Sequence, residues 1–343
     1  MRKRIAAALL AAMAGCTTPA PPPAPPEAST LDQNWSDAQR RWFYHTSQGT
    51  KLMPYGWFLA LEQPSLSLTG APPFSAPDNL ARFGFLPDTP SANNPDGLPV
   101  GFAPGWSFVE DTTEREPVVG LTCAACHTGQ IEYRRQAVRI DGGPAMTNTG
   151  AFQTALGEAM VLTYLSPLRF ERFARKVLGR EYSPEAQAQL FARFERGLKA
   201  GQAEQGVATK EQLYPVAEGP GRLDALGRGA NFVFGTLAQD RRNFAVADAP
   251  VSYPAIWEAP WHDWVQYNGS IRQPMARNVA EAMGVRSVVK LSGPPENQFQ
   301  STVRVDEIHE MEALLAGPAP GQGLRAPRWP EAVLGPIDAT AAE

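Results

Sequence analysis

The stretch Cys123-Ala124-Ala125-Cys126-His127 constrains this chain more than any other. Two thiols three positions apart, followed directly by an imidazole, are the residues that covalent attachment of a c-type haem requires. Each thiol adds across one vinyl group of the porphyrin, and the histidine becomes the proximal ligand of the iron. Other uses of a Cys-x-x-Cys pair fit less well. A closed zinc site needs four ligands, and no second cysteine pair is present to complete one. A thioredoxin-like redox pair expects a βαβ context, which the flanking residues do not provide. The expected cofactor is therefore one covalently bound haem c, held by Cys123 and Cys126 with His127 on the iron.

Only three cysteines occur in 343 residues, the third being Cys16, so no disulfide is expected. The N-terminus reads as an export signal over 1–15: Arg2, Lys3 and Arg4 precede an apolar run from Ile5 to Ala14. About ten apolar residues are too few to span a bilayer. Met13-Ala14-Gly15-Cys16 resembles a bacterial lipoprotein cleavage box, with Met where Leu is usual, which makes Cys16 the candidate lipid-bearing residue. Ordinary cleavage nearby, leaving Cys16 removed or free, is the alternative. The proline-rich stretch that follows, taken as a spacer over 16–32, is expected to be extended and free of core contacts. The expected address is the periplasm, with a lipid anchor in the cell envelope. A formal net charge of -4 gives no basic footprint, so nucleic acid is not expected as a partner.

The remainder, 33–343, is taken as one haem domain with inserted and flanking helices. Ser36-Asp37-Ala38-Gln39 has a capping-box pattern ahead of Trp42, Phe43 and Tyr44, which predicts a helix ending before Gly49. Residues 64–117 are rich in Pro, Gly, Asn and Asp, which predicts long ordered loops with little regular structure. Ile131, Tyr133, Val138 and Ile140 alternate with polar residues around a turn at Arg135 and Gln136, the pattern of a short hairpin. Phe152, Ala155, Leu156, Ala159 and Met160 share one helical face, and Phe170, Phe173, Val177 and Leu178 share another that ends at Gly179. Ser183-Pro184-Glu185 starts a third helix, predicted to stop at Gly201. Ile308, Met311, Glu312 and Leu315 describe a last amphipathic helix with His309 off its apolar face.

Several residues are candidates for places around the haem. His45 lies among aromatic residues, where a hydrogen-bonded core histidine is the commoner outcome than an iron ligand. Arg222 and Arg228 sit in a glycine-rich stretch with no Walker or GxGxxG pattern, and a guanidinium suits a haem propionate. Solvent-exposed arginines are the default alternative. Trp257, Trp261, His262, Trp264 and Tyr267 form a proline-broken aromatic segment, the candidate distal pocket. Within it His262 is the candidate distal ligand or proton-transfer group; a structural histidine in an aromatic corner is the other reading. Met146, Met160, Met275 and Met283 are candidate sulfur ligands that more ordinarily belong to the core.

Taken together, Asn34-Trp35-Ser36, Trp42 to Thr50, Gly97 to Phe102, Gly120 to Gln130, Arg222 to Arg228 and Trp264 to Gly269 resemble the N-terminal part of di-haem cytochrome c peroxidase-like proteins, a group related to the bacterial rubber oxygenases. The resemblance implies a mainly α, cytochrome c-like haem domain with long irregular loops and a small β-hairpin. It also implies action on peroxide or dioxygen at one haem while a second relays electrons from a cytochrome or cupredoxin donor. This sequence has one Cys-x-x-Cys-His, so it is expected to be either a fragment of a longer protein or a single-haem relative. Two functions follow: a haem oxidoreductase, peroxidase-like or oxygenase-like, with an open distal position, or an electron-transfer cytochrome whose sixth position is filled. A non-redox haem-binding lipoprotein is the third.

Overall fold

The computed structural model describes residues 28–109, 112–272, 274–291 and 293–343. The export signal, Cys16 and most of the spacer lie outside the described residues. The spacer's last residues are not free of the domain: Ala28–Thr30 form β1 and pair with residues 137–139.

The first helix, α1 (Asp37–His45), has the capping box its sequence predicts. Ser36 Oγ accepts the Gln39 N–H at 3.3 Å, and Gln39 Oε1 accepts the Ser36 N–H at 2.9 Å. The chain then passes through β2 (Met53–Pro54), α2 (Tyr55–Ala60) and α3 (Pro77–Ala81).

The mainly α, cytochrome c-like expectation is corrected here. Helix accounts for 43% and strand for 15%, and the strands form several small sheets. Within 64–117, where loops are expected, β3 (Phe102–Phe108) and β4 (Arg115–Leu121) pair antiparallel over their full length, from Phe102 opposite Leu121 to Phe108 opposite Arg115. Pro104 and Pro117 hide this ribbon from a sequence reading, because proline cannot donate to a ladder. The sheet tolerates both. Its order is β2-β4-β3, which puts Pro104 on an edge strand, and β2 reaches only Val118 and Val119, leaving Pro117 beside one neighbour.

A second sheet follows the cysteine motif. The hairpin of β5 (Thr128–Tyr133) and β6 (Gln136–Asp141) turns at Arg134 and Arg135, whose φ values of 48° and 64° match the left-handed two-residue turns that suit strand twist. β1 adds parallel to β6. The stretch 123–127 is therefore the connection between two antiparallel ribbons.

Helices α4 (Thr149–Leu165), α5 (Pro167–Leu178) and α6 (Pro184–Lys210) follow. The last runs through Gly201 because 199–210 is rich in strong helix formers, and among its buried residues are only Leu190, Phe194 and Leu198 of the first half. After α7 (Ala225–Ala230) comes a π-helical stretch, Asn231–Leu237, and then α8 (Pro274–Gly284) and α9 (Val305–Ala316).

Two cores meet at the stretch 123–127. The larger packs Phe58, Phe74, Phe85, Phe102 and Phe152 together, mostly edge to face but with Phe58 and Phe102 stacked, with centroids as close as 4.8 Å, and continues through Trp57, Phe173 and Phe194 under α5 and α6. Such pairs add about 0.5–1.5 kcal/mol each to their burial. The smaller gathers Phe43 and Tyr44 of α1, Ile256, and Met311 and Leu315 of α9. Ala125 belongs to the larger core and Ala124 to the smaller.

Candidate functional site

Residues 123–127 form a single helical turn. Cys123–Ala125 are a 3-10 helix, capped by Thr122, whose hydroxyl accepts the Ala124 N–H at 3.3 Å. The Cys126 and His127 N–H groups both return to the Cys123 carbonyl, at 3.1 and 2.9 Å. The buried alanines pin the turn, while Cys123 and His127 line a narrow cleft and Cys126, also half-buried, stands beside them on the turn.

Each of the three is tuned by that cleft. Burial, assisted by the charge of Glu281, pushes the Cys123 thiol up, and burial pushes the Cys126 thiol up to about 12. Burial holds the His127 imidazole below its usual range, so it is neutral and able to bind a metal. His127 Nδ1 lies 2.8 Å from the Pro254 carbonyl oxygen. A carbonyl only accepts, so Nδ1 carries the proton and Nε2 is left as the basic nitrogen.

Gln48 braces the turn from α1's side. Its Oε1 accepts the Cys123 N–H at 3.1 Å, and its Nε2 donates to Cys123 Sγ at 2.9 Å and to Met311 Sδ at 3.2 Å. The cleft is narrow and is lined by Gln48, Cys123, His127, Ile256, Met311 and Glu312 among others. α8 contributes Arg277 and Asn278 to the same lining. Arg277 Nη1 pairs with Glu281 at 2.5 Å, and Asn278 Nδ2 donates to Glu312 at 2.5 Å. Burial pushes the Glu312 carboxyl up.

These residues suit a covalently held haem. Two thiols share one turn, and the imidazole is fixed in the tautomer that offers Nε2. The donor set does not suit zinc: among the described residues no three His, Cys, Asp or Glu side chains gather to hold one ion.

This chain has a bacterial relative. It is 46% identical over 325 residues to a protein of Sinorhizobium fredii (strain NBRC 101917 / NGR234) described as uncharacterized protein y4iJ. The alignment takes in 90% of this chain and 54% of y4iJ, so the chain spans about half the length of the relative it matches. No family model matches the chain. No solved structure matches it. The likeness to y4iJ is one of sequence, and the chemistry is read from the cleft.

The other residues singled out in the sequence lie apart from it. His45 is a core histidine, its two nitrogens 2.8 Å from the Phe102 carbonyl and 2.8 Å from Asp88. Arg228 pairs with Glu218 at 2.5 Å and lies over the Tyr214 ring. Arg222 is exposed on a two-residue strand. His262 is exposed, as are Trp261, Trp264 and Tyr267, while Trp257 donates its N–H to the Asp141 carbonyl. The stretch around that aromatic segment reaches the cleft instead through the Pro254 carbonyl on His127, with Ile256 and Ala259 in the lining. Met146 is exposed, Met160 packs on the larger core, and neither Met275 nor Met283 lines the cleft; Met311 does. Residues missed by sequence reasoning are thus Gln48, Arg277, Asn278, Met311 and Pro254. One signal was visible: Glu312 falls on the apolar face of its helix, where a carboxylate needs a reason.

Proposed function

We propose that this chain carries one covalent haem c at Cys123 and Cys126 with His127 as its proximal ligand, and that it performs redox chemistry on the outer side of a bacterial envelope. The observation that carries this reading is the 2.8 Å contact between His127 Nδ1 and the Pro254 carbonyl, beside two thiols on one turn. A bound haem supplies one-electron chemistry and a metal position for small ligands. The chain's own residues hold and orient it: the turn presents the thiols, Pro254 aims the imidazole, and Ile256, Ile308 and Leu315 keep water from the cleft.

The polar wall of Arg277, Asn278 and Glu312 favours an oxidoreductase acting on peroxide or dioxygen, in keeping with the resemblance to di-haem peroxidases and oxygenases. A cytochrome or cupredoxin donor would supply electrons, and lipidation at Cys16 would hold the chain at the membrane. Among the described residues no helix is long and apolar enough to cross a membrane. The alternative is an electron-transfer cytochrome, favoured by one observation: the Met311 thioether lines the same cleft.

The test is the reduced-minus-oxidised spectrum of periplasmically matured protein, with pyridine haemochrome quantitation and then carbon monoxide. One covalent haem per chain and a Soret shift with carbon monoxide support the oxidoreductase. Covalent haem without a shift selects electron transfer. Absence of covalent haem refutes the proposal.

A further inference from the structure

Arg277 is a donor in search of an acceptor. Its side chain is 14% exposed, and Nη1 is committed to Glu281. Its Nε is shut off from solvent and has no hydrogen-bond partner. Buried guanidinium donors are rarely left unpaired, because the desolvation cost of the group is then uncompensated. Other arginines also bury an unpartnered Nε, but Arg304 lies over the Trp106 ring and Arg139 donates through Nη2 to Pro87 and Gln130, whereas Arg277 lines the cleft shared with Cys123 and His127.

The nearby groups do not answer the need. Glu281 already takes Nη1 and also accepts from Gln266 Nε2 at 3.3 Å. Glu312 accepts from Asn278, and burial favours its neutral form, which is a poor partner for a cation. Burial opposes the Arg277 charge, yet its raised pKa, to which the charge and hydrogen bond of Glu281 contribute, keeps the guanidinium protonated.

We infer that the Arg277 guanidinium turns to meet an anionic acceptor brought into the cleft, so that Arg277, and not Arg222 or Arg228, is the cleft's anion-binding arginine. The inference rests on the haem reading above. The acceptor has two sources of the same chemistry: a propionate carboxylate of the haem itself, or a small anion beside the iron.

The experiment uses the full chain matured with covalent haem, comparing wild type with Arg277→Leu and with Arg277→Leu/Glu281→Gln, the second variant sparing Glu281 an unpaired carboxylate. Haemochrome content of the wild type tests the haem reading by itself. Resonance Raman propionate-bending bands report the first source, and azide affinity by Soret titration reports the second. A propionate partner predicts shifted bending bands with unchanged azide affinity. An exogenous anion predicts unshifted bands and azide binding about tenfold to a hundredfold weaker. Where wild type binds no azide, the Raman bands decide. Covalent haem in all proteins with neither readout altered overturns the inference and leaves the haem reading standing; no covalent haem in wild type overturns both.

Discussion

Replacing Gly101 by alanine tests how tightly the haem turn is held. Gly101 is buried and has φ +88°, and a Cβ built there would lie 2.3 Å from both the N and Cα of Ala125, between the two cysteines. The neighbour is backbone, so no side-chain rotation relieves the overlap. An ordinary contact begins at 3.4 Å, so the turn and the residues before β3 have to separate by about 1 Å. The Gly101 carbonyl also accepts the Thr122 N–H at 2.8 Å, so the separation strains the bond that enters the turn. A left-handed alanine costs about 1–2 kcal/mol and overpacking about 1–3, giving a loss of about 2–5 kcal/mol. Against a total stability of about 5–15 kcal/mol that is a large fraction. Urea unfolding of the apo chain should show the loss, and haemochrome quantitation after periplasmic expression should show less covalent haem per chain. A variant within about 0.5 kcal/mol of the parent, with equal haem content, would refute the claim that this turn is packed against Gly101.

Two further outcomes follow from other parts of the molecule. Gly157 lies within α4 with nothing within 4 Å of a built Cβ, so Gly157→Ala should stabilise by about 0.5–1 kcal/mol in the same urea assay, the opposite sign to Gly101→Ala. Acid should loosen the packing of the 62–71 loop on α5. The Arg172 hydrogen bonds, at 2.8 and 2.9 Å, hold the Glu62 carboxyl below its ordinary range against the opposing effect of burial. A depressed folded pKa means the stabilisation is present above the unfolded carboxylate value of about 4.3 and is lost as pH falls through the folded value. Asp88 has the same sign: burial raises it, and the His45 and Thr89 hydrogen bonds, with the charges of His45 and Arg139, together more than offset this. The urea midpoint should therefore fall in that acid window, and Glu62→Gln should lower stability at neutral pH while flattening the acid slope; an unchanged slope would count against the Glu62 contribution.

Local patterns were legible wherever one element sets its own periodicity. The Ser36 cap, the 128–141 hairpin, and the helical faces of Phe152, Phe170 and Ile308 all lie where spacing puts them. The β3–β4 ribbon was not, since its prolines and glycines read as loop and only the partner strand shows them to be tolerable. The site divided in the same way. The motif at Cys123 is contiguous and can be read directly, whereas Gln48, Pro254, Arg277 and Met311 come together through folding, and Pro254 acts through a backbone atom that no side-chain pattern reports. Trp261, Trp264 and Tyr267 misled for a plain reason: aromatic density commonly means burial, and here these rings face solvent.

The bond from His127 to Pro254 spans 127 residues of chain. A polypeptide delivered N-terminus first therefore presents its thiols long before the carbonyl that fixes the imidazole arrives. On the proposed haem reading, thioether formation and completion of the proximal bond would be separable events in the life of the molecule. A haem joined to a partly delivered chain would sit on a histidine free to change tautomer and tilt. Its redox potential would settle only when the segment around Pro254 docks, so the cofactor itself would report the last stage of assembly.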